Sequence, residues 1–147
     1  MKITLLEMPD GTVCVMHVVS DNRRDAVVLA ASVFPGASIL YHGESPQLPP
    51  WEWRSCWRVK AGAVAVDMSL ATAERIAALR SERDARLKAL DGPWMRAIGQ
   101  GNTAEATAIE AKRQQLRDIP AVISAGISAI ASPDQLLSYS PSWPVYP

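Results

Sequence analysis

The periodicity of the apolar residues changes once along the chain, close to Met68. Before that position, apolar and β-branched residues fall in short runs bounded by turn residues, which is typical of strands. After it, the residues of one helical stripe recur every three or four positions, at Ile76, Leu79, Arg83, Leu87 and Leu90, and all but Arg83 are apolar. We therefore expect an α+β fold, with a small module at residues 1–68 followed by helices.

The N-terminal module is predicted to contain a hairpin, a helix and a strand. Pro9-Asp10-Gly11 supplies the first turn, and Ser20-Asp21-Asn22 offers oxygens that can cap a helix. Prolines are dense after His42 and favour an exposed extended loop there. In chain order, the predicted elements are strands Ile3–Met8 and Thr12–Val19, helix Arg23–Phe34, strand Ala37–Tyr41 and loop His42–Pro50.

Three tryptophans stand close together after this loop. The segments Trp51–Lys60 and Ala63–Met68 predict a second hairpin, and on an unbroken strand Trp51, Trp53 and Trp57 share one face. These rings either cover the short helix or form a partner-binding surface, because Trp is enriched at interface hot spots.

Residues 69–119 are predicted to form an antiparallel helical hairpin. Ser69 can cap the first helix, Pro93 should kink or restart it, and Gly99-Gln100-Gly101 should end it. Asn102 begins a capping box for the second helix, and Pro120 is predicted to stop that helix. The residues expected to be buried between the helices are Leu87, Leu90, Ile109 and Leu116.

The predicted end of the second helix gives two further residues a structural role. Arg117 would lie in the last turn and satisfy free carbonyl groups, whereas Asp118 would oppose the helix dipole and need a specific partner, either Arg113 or a backbone N–H in the tail. The alternative is that the two form a solvated surface pair. Residues 120–147 are predicted to be an irregular aromatic and proline-rich tail, apart from one turn that begins at Ser132. Trp143 and Tyr146 are its candidate partner-binding residues, and the alternative for Trp143 is to dock on the chain's own helices.

The composition argues against several classes of function. The 147 residues carry 15 basic and 15 acidic side chains, so the basic excess of a nucleic-acid-binding protein is missing. Apolar runs are too short to cross a membrane. Cys14, His17, His42 and Cys56 lack zinc-site spacing, and the two cysteines are expected to be buried thiols. No nucleophile, base and acid constellation is recognisable, so we expect no enzyme activity, cofactor, metal or small-molecule substrate.

The helical part resembles a known group of phage proteins. Leu116-Arg117-Asp118-Ile119-Pro120 and the later Trp143-Pro144 are similar to elements of tail fibre assembly proteins, also called tail assembly chaperones. The resemblance covers residues 57–147 and also draws on the segments Trp57-Arg58, Ala63–Met68, Leu90-Asp91, Arg96-Ala97, Gly101–Ala104 and Gln115.

This resemblance implies a bacteriophage tail protein that binds a tail fibre or receptor-binding protein and assists its folding. Such a protein would act in the bacterial host cytoplasm during assembly and could be retained on the virion tail. The alternative is a permanent baseplate or tail component that links fibres to the tail. Either function predicts a protein partner, namely the fibre or an adjacent tail or baseplate protein.

Overall fold

The fold is α+β, with a small sheet at the N-terminus and a long helical hairpin after it. The computed structural model describes residues 2–18, 22–44 and 46–145. The chain divides into two compact units, Met1–Ala71 and Thr72–Pro147. The strands are β1 (Lys2–Glu7), β2 (Val13–His17), β3 (Ser38–Glu44), β4 (Trp57–Lys60) and β5 (Ala63–Val66). The helices are α1 (Arg23–Val33), α2 (Met68–Gly99), α3 (Thr103–Ile127) and α4 (Pro133–Ser138), and Trp51–Cys56 forms a 3-10 helix.

The sheet of the first unit has the strand order β2–β1–β3, with both pairings antiparallel. Its central strand β1 is almost wholly buried, because it has a neighbour on each side and apolar residues that point to both faces. Asp10 stabilises the β1–β2 turn by accepting hydrogen bonds from the backbone N–H and the hydroxyl of Thr12. These bonds lower the pKa of the Asp10 carboxyl. Strands β4 and β5 form a separate antiparallel ribbon.

Strand β3 is longer than expected. It continues to Glu44, so the prediction of a loop from His42 is wrong for its first three residues. Pairing with Lys2–Thr4 of β1 extends the strand, and Gly43 lies opposite Ile3. The hydroxyl of Thr4 and Nδ1 of His42 share a 2.8 Å hydrogen bond across the pair. Long-range pairing therefore overrides the local loop tendency of the sequence.

Helix α1 begins as the sequence predicts. The side chain of Asn22 accepts a hydrogen bond from the backbone N–H of Arg24, which makes Asn22 the N-cap. Val19, Ser20 and Asp21, which entered the same predictions, lie outside the described residues. Only Ala26 and Ala30 of the helix are buried, whereas their apolar neighbours Val27 and Ala31 are exposed.

Both long helices pass through a proline. Pro93 lies inside α2, so of the two predicted outcomes, a kink or a restart, the restart is wrong. Pro120 lies inside α3, so the predicted stop there is also wrong. The boundary expected between residues 119 and 120 falls within α3, and the segment after it is partly helical rather than irregular.

The structure agrees with one of the two predicted caps of the hairpin helices. Asp67, not Ser69, caps α2, because its carboxylate accepts hydrogen bonds from the N–H groups of Ser69 and Leu70. Asn102 caps α3 through the N–H of Glu105, as its capping-box pattern predicts. Between the helices, Gly101 adopts a φ of +69°, a left-handed conformation that favours glycine.

Candidate protein-binding surfaces

The three tryptophans of the first unit do not share a strand face. Residues 51–56 form the 3-10 helix and the strand begins only at Trp57, so the predicted single face is wrong. Trp53 and Trp57 are buried, at 3% and 0% exposure, whereas 52% of Trp51 is exposed. The physical reason is the preceding Pro50, whose carbonyl accepts the N–H of Trp53 and closes a helical turn instead of extending a strand.

Trp51 lies in a short aromatic arrangement at the surface. Its ring meets that of Trp57 edge to face, with centroids 5.5 Å apart and planes at 81°. The guanidinium of Arg54 lies over Trp51, 5.4 Å from the ring centroid. The indole N–H of Trp57 donates to the carbonyl of Pro50 at 3.3 Å, which fixes the inner ring. Trp51 is therefore held in place by its neighbours while half of it stays open to a partner.

Helix α1 presents an apolar surface that the sequence did not reveal. Four of its side chains, which we call the α1 surface, are exposed: Val27 by 48%, Val28 by 69%, Leu29 by 40% and Val33 by 54%. The inward positions Ala26 and Ala30 are small and bring little apolar area of their own to the core. A helix that is apolar on most sides is normally buried, so this surface is a candidate for covering by another protein.

The hairpin of the second unit has a compact apolar core. Its buried members are Leu90, Ala97, Ala106, Ile109 and Leu116. Leu87, Trp94 and Trp143 are half-buried and pack against this cluster. The guanidinium of Arg113 lies over the Trp94 ring at 5.1 Å and forms an ion pair with Asp91 at 3.2 Å. This contact links α2 to α3 beside the core.

The segment 139–145, here called the C-terminal strap, is anchored within its own unit. The guanidinium of Arg75 donates to the carbonyl of Tyr139, and the Tyr139 hydroxyl donates to the carbonyl of Val122 at 3.3 Å. Trp143 packs on the hairpin core, and its indole N–H donates to the hydroxyl of Ser140 at 3.2 Å. Trp143 therefore docks on the chain's own helices. Tyr146, the other candidate of this segment, lies outside the described residues.

Arg117 and Asp118 are not at a helix end. Both lie inside α3, so the predicted roles at free carbonyl groups and against the dipole are wrong. The guanidinium of Arg117 donates a hydrogen bond to the carboxylate of Glu110 at 2.7 Å. The carboxylate of Asp118 accepts one from the side-chain Nε2 of Gln114 at 3.0 Å. The hydrogen bond from Arg117, followed by the positive charges of Arg117 and Arg113, lowers the pKa of the Glu110 carboxyl. These side chains form an exposed polar row along α3.

Metal binding, thiol chemistry and membrane crossing each depend on features that can be checked in the described residues. Across 2–18, 22–44 and 46–145, no group of three or more His, Cys, Asp or Glu side chains could hold a metal ion. Cys14 and Cys56 are free thiols, the first half-buried and the second buried. In these same ranges, no helix combines the length and the apolar character that crossing a membrane requires.

No protein-family model, curated protein or solved structure matches the chain. The exposed apolar side chains of α1 and Trp51 are the candidate contacts for a partner protein.

Proposed function

We propose that this chain is a bacteriophage tail protein that binds a tail fibre or an adjacent tail protein and assists its folding or assembly. The observation that carries the proposal is the α1 surface, where three valines and a leucine are exposed on one helix of eleven residues. Large apolar side chains exposed together on one helix are a feature of protein interaction sites. The resemblance of residues 57–147 to tail fibre assembly proteins supplies the class of partner.

The proposed mechanism is the covering of apolar surface. A trimeric fibre exposes apolar side chains and unpaired strand edges until its chains have wound together, and such surfaces aggregate. The α1 surface can cover an apolar patch on the fibre at a gain of about 25 cal/mol per Å² of apolar area removed from water. Because the chain has no net charge, association would depend on this apolar contact more than on electrostatic steering.

Co-expression with the fibre of the same phage tests the proposal. The soluble yield of the fibre should rise, and the two proteins should elute as one complex in size-exclusion chromatography. The double variant Val27→Ser and Val28→Ser should weaken this complex at least tenfold while the melting temperature stays close to that of the unmodified chain, since both side chains are exposed.

Val122→Ser is the matched control, because Val122 is also an exposed helical valine, at 51%, but lies on α3. It should leave the complex unchanged. Equal effects of the α1 and Val122 substitutions would mean that α1 is not the docking side. If no tail protein of the same phage forms a complex, the assembly function itself is wrong.

The same proposal places the protein in the host cytoplasm during assembly. Mass spectrometry of purified virions separates a transient chaperone from a protein that is retained or that links fibres to the tail. Absence from the particle supports the first, and a fixed stoichiometric amount supports the second.

A further inference from the structure

A second feature of the hairpin unit points to a ligand of defined chemistry. A cleft of about 190 Å³ lies between α2, α3 and the C-terminal strap. Its apolar lining comes from Leu90 and Leu116 of the core, from Ala89 and from Pro144 of the strap. Its polar lining consists of two cations, Arg86 and Lys112. The cleft therefore combines an apolar floor with positive charge and contains no acidic lining residue.

The two cations keep hydrogen-bonding capacity. Nε and Nη2 of Arg86 both donate to one oxygen of Glu82, at 3.2 and 2.7 Å, while Nη1 has no partner among the described residues. Lys112 is half-buried and forms no ion pair or hydrogen bond within the part of the chain that the structure describes. A lysine without an acidic partner, lining the same cleft as an arginine, is stabilised by any anion that enters.

The volume of the cleft limits the size of the anion that it can bind. Small-molecule sites usually measure about 300–1,000 Å³, so this cleft is too small for most cofactors and suits one or two side chains of a docked segment. A lone inorganic anion would leave the accessible apolar lining of Ala89 and Pro144 uncovered. A carboxylate flanked by an apolar residue satisfies both parts of the lining.

We propose that this cleft binds an acidic side chain and its apolar neighbour from a segment of the partner protein. This inference rests on the proposed function, since the segment is assigned to the fibre or adjacent tail protein. The carboxylate pairs with Lys112 and Nη1 of Arg86, and the apolar neighbour packs on Ala89 and Pro144. Pro144 closes one side, so binding also holds the strap in place.

A titration followed by NMR tests the site without the partner. The probes are the peptide acetyl-Ala-Leu-Glu-Leu-Ala-amide and its counterpart with Gln in place of Glu. The Glu peptide should cause saturable shifts at the amides of Ala89 and Lys112 and at the indole N–H of Trp143. The Gln peptide should bind about tenfold more weakly or not at all, because a hydrogen bond to a charged partner is lost.

Lys112→Gln is the decisive variant, because the Lys112 side chain forms no ion pair or hydrogen bond among the described residues. It should weaken binding of the Glu peptide about tenfold, whereas Lys88→Gln, an exposed position on α2 outside the cleft, should not. Equal binding of the two peptides, or an unchanged affinity in Lys112→Gln, overturns the proposal. Binding that appears only after residues 146 and 147 are removed also overturns it, because the cleft would then serve the chain's own end.

The complex with the fibre separates this inference from the proposed function. If the unmodified chain and Lys112→Gln bind the fibre equally well, the cleft is not part of the interface and the proposed function stands. If the unmodified chain binds no tail protein, the proposed function fails whatever the peptides do.

Discussion

The guanidinium of Arg86 lies over the indole ring of Trp143, with Cζ 4.6 Å from the ring centroid. Arg86 belongs to α2 and Trp143 to the C-terminal strap, so the contact ties the end of the described chain to the hairpin. Nε and Nη2 of the same guanidinium donate to Glu82, one helical turn earlier, at 3.2 and 2.7 Å. The acid orients the guanidinium through its edge, while the face of the guanidinium covers the ring.

Trp143→Ala should therefore destabilise the second unit. The lost apolar contact with the hairpin core and the lost cation–π contact together predict about 1–3 kcal/mol, measured by urea unfolding. Hydrogen exchange of the amides in the strap should also become faster. Trp51→Ala is the matched control, since that ring is 52% exposed and its loss should cost less. Equal destabilisation by the two substitutions would contradict the docking of Trp143.

Leu116→Ala should be the most damaging of the simple truncations in the hairpin. The side chain is 1% exposed and belongs to the cluster with Leu90 and Ile109, so the substitution leaves a cavity and should cost about 2–4 kcal/mol. Leu137→Ala, at a leucine 38% exposed on α4, should cost clearly less. A midpoint of denaturation that does not move for Leu116→Ala would show that the core lies elsewhere.

The order of the elements could be predicted from the sequence because each depends on local signals. The change of period near Met68, the turn at Pro9-Asp10-Gly11 and the cap at Asn102 all act over a few residues, and the structure has the expected element at each. Local signals do not show which of two neighbouring apolar residues is buried, as Val27 and Ala26 illustrate. Both are apolar and adjacent on α1, yet only Ala26 is buried.

The two prolines show where local rules fail. An interior proline costs a helix about 3 kcal/mol, so a stop at Pro120 is the expected outcome. In α3, however, Leu116 and Ile119 before the proline and Ile123 and Ile127 after it are all buried. Each such side chain contributes about 1.5–3 kcal/mol when buried, and together they exceed the cost of the proline. The length of α3 is thus decided by packing that no local pattern reveals.

The candidate surfaces depended even more on tertiary structure. Trp51, Trp53 and Trp57 have the spacing of a strand face, but Pro50 begins a 3-10 turn that rotates them apart. The role of Trp143 was open between its own helices and a partner, and only the packed hairpin decides for the former. The cleft with Arg86 and Lys112 joins positions 26 residues apart on two helices, which a linear pattern does not bring together.

Substitution by alanine should have opposite effects on the free energy of unfolding at two glycines of the hairpin. Gly92 lies inside α2 and an added Cβ would meet nothing within 4 Å, so Gly92→Ala should stabilise the chain by about 0.5–1 kcal/mol. Gly101 also has open space, but its φ of +69° strains any other residue. Gly101→Ala should therefore destabilise by about 1 kcal/mol. Thermal unfolding of both variants checks the pair, and a shift of the same sign in both would contradict the assigned conformations.

The cap of α2 predicts a dependence of stability on pH. The backbone hydrogen bond from Leu70 is the largest cause that lowers the pKa of the Asp67 carboxyl, and the charge of Lys60 and the N–H of Ser69 lower it further. Since the pKa is lower in the folded chain than in the unfolded one, ionised Asp67 favours folding. This contribution is complete above the ordinary carboxyl pKa of about 3.9 and is lost as the pH falls through the lower, folded value.

Asp67→Asn keeps an N-capping side chain but removes the charge, so it isolates this effect. At pH 7 the variant should be less stable than the unmodified chain in urea unfolding, and the difference should shrink as the pH falls below about 4. Lys60→Gln should retain most of the pH dependence, because the hydrogen bond from Leu70 outweighs the ion pair, whose 3.5 Å contact is solvent-exposed. If Lys60→Gln abolishes the dependence while Asp67→Asn leaves it intact, the ion pair and not the helix cap is its source.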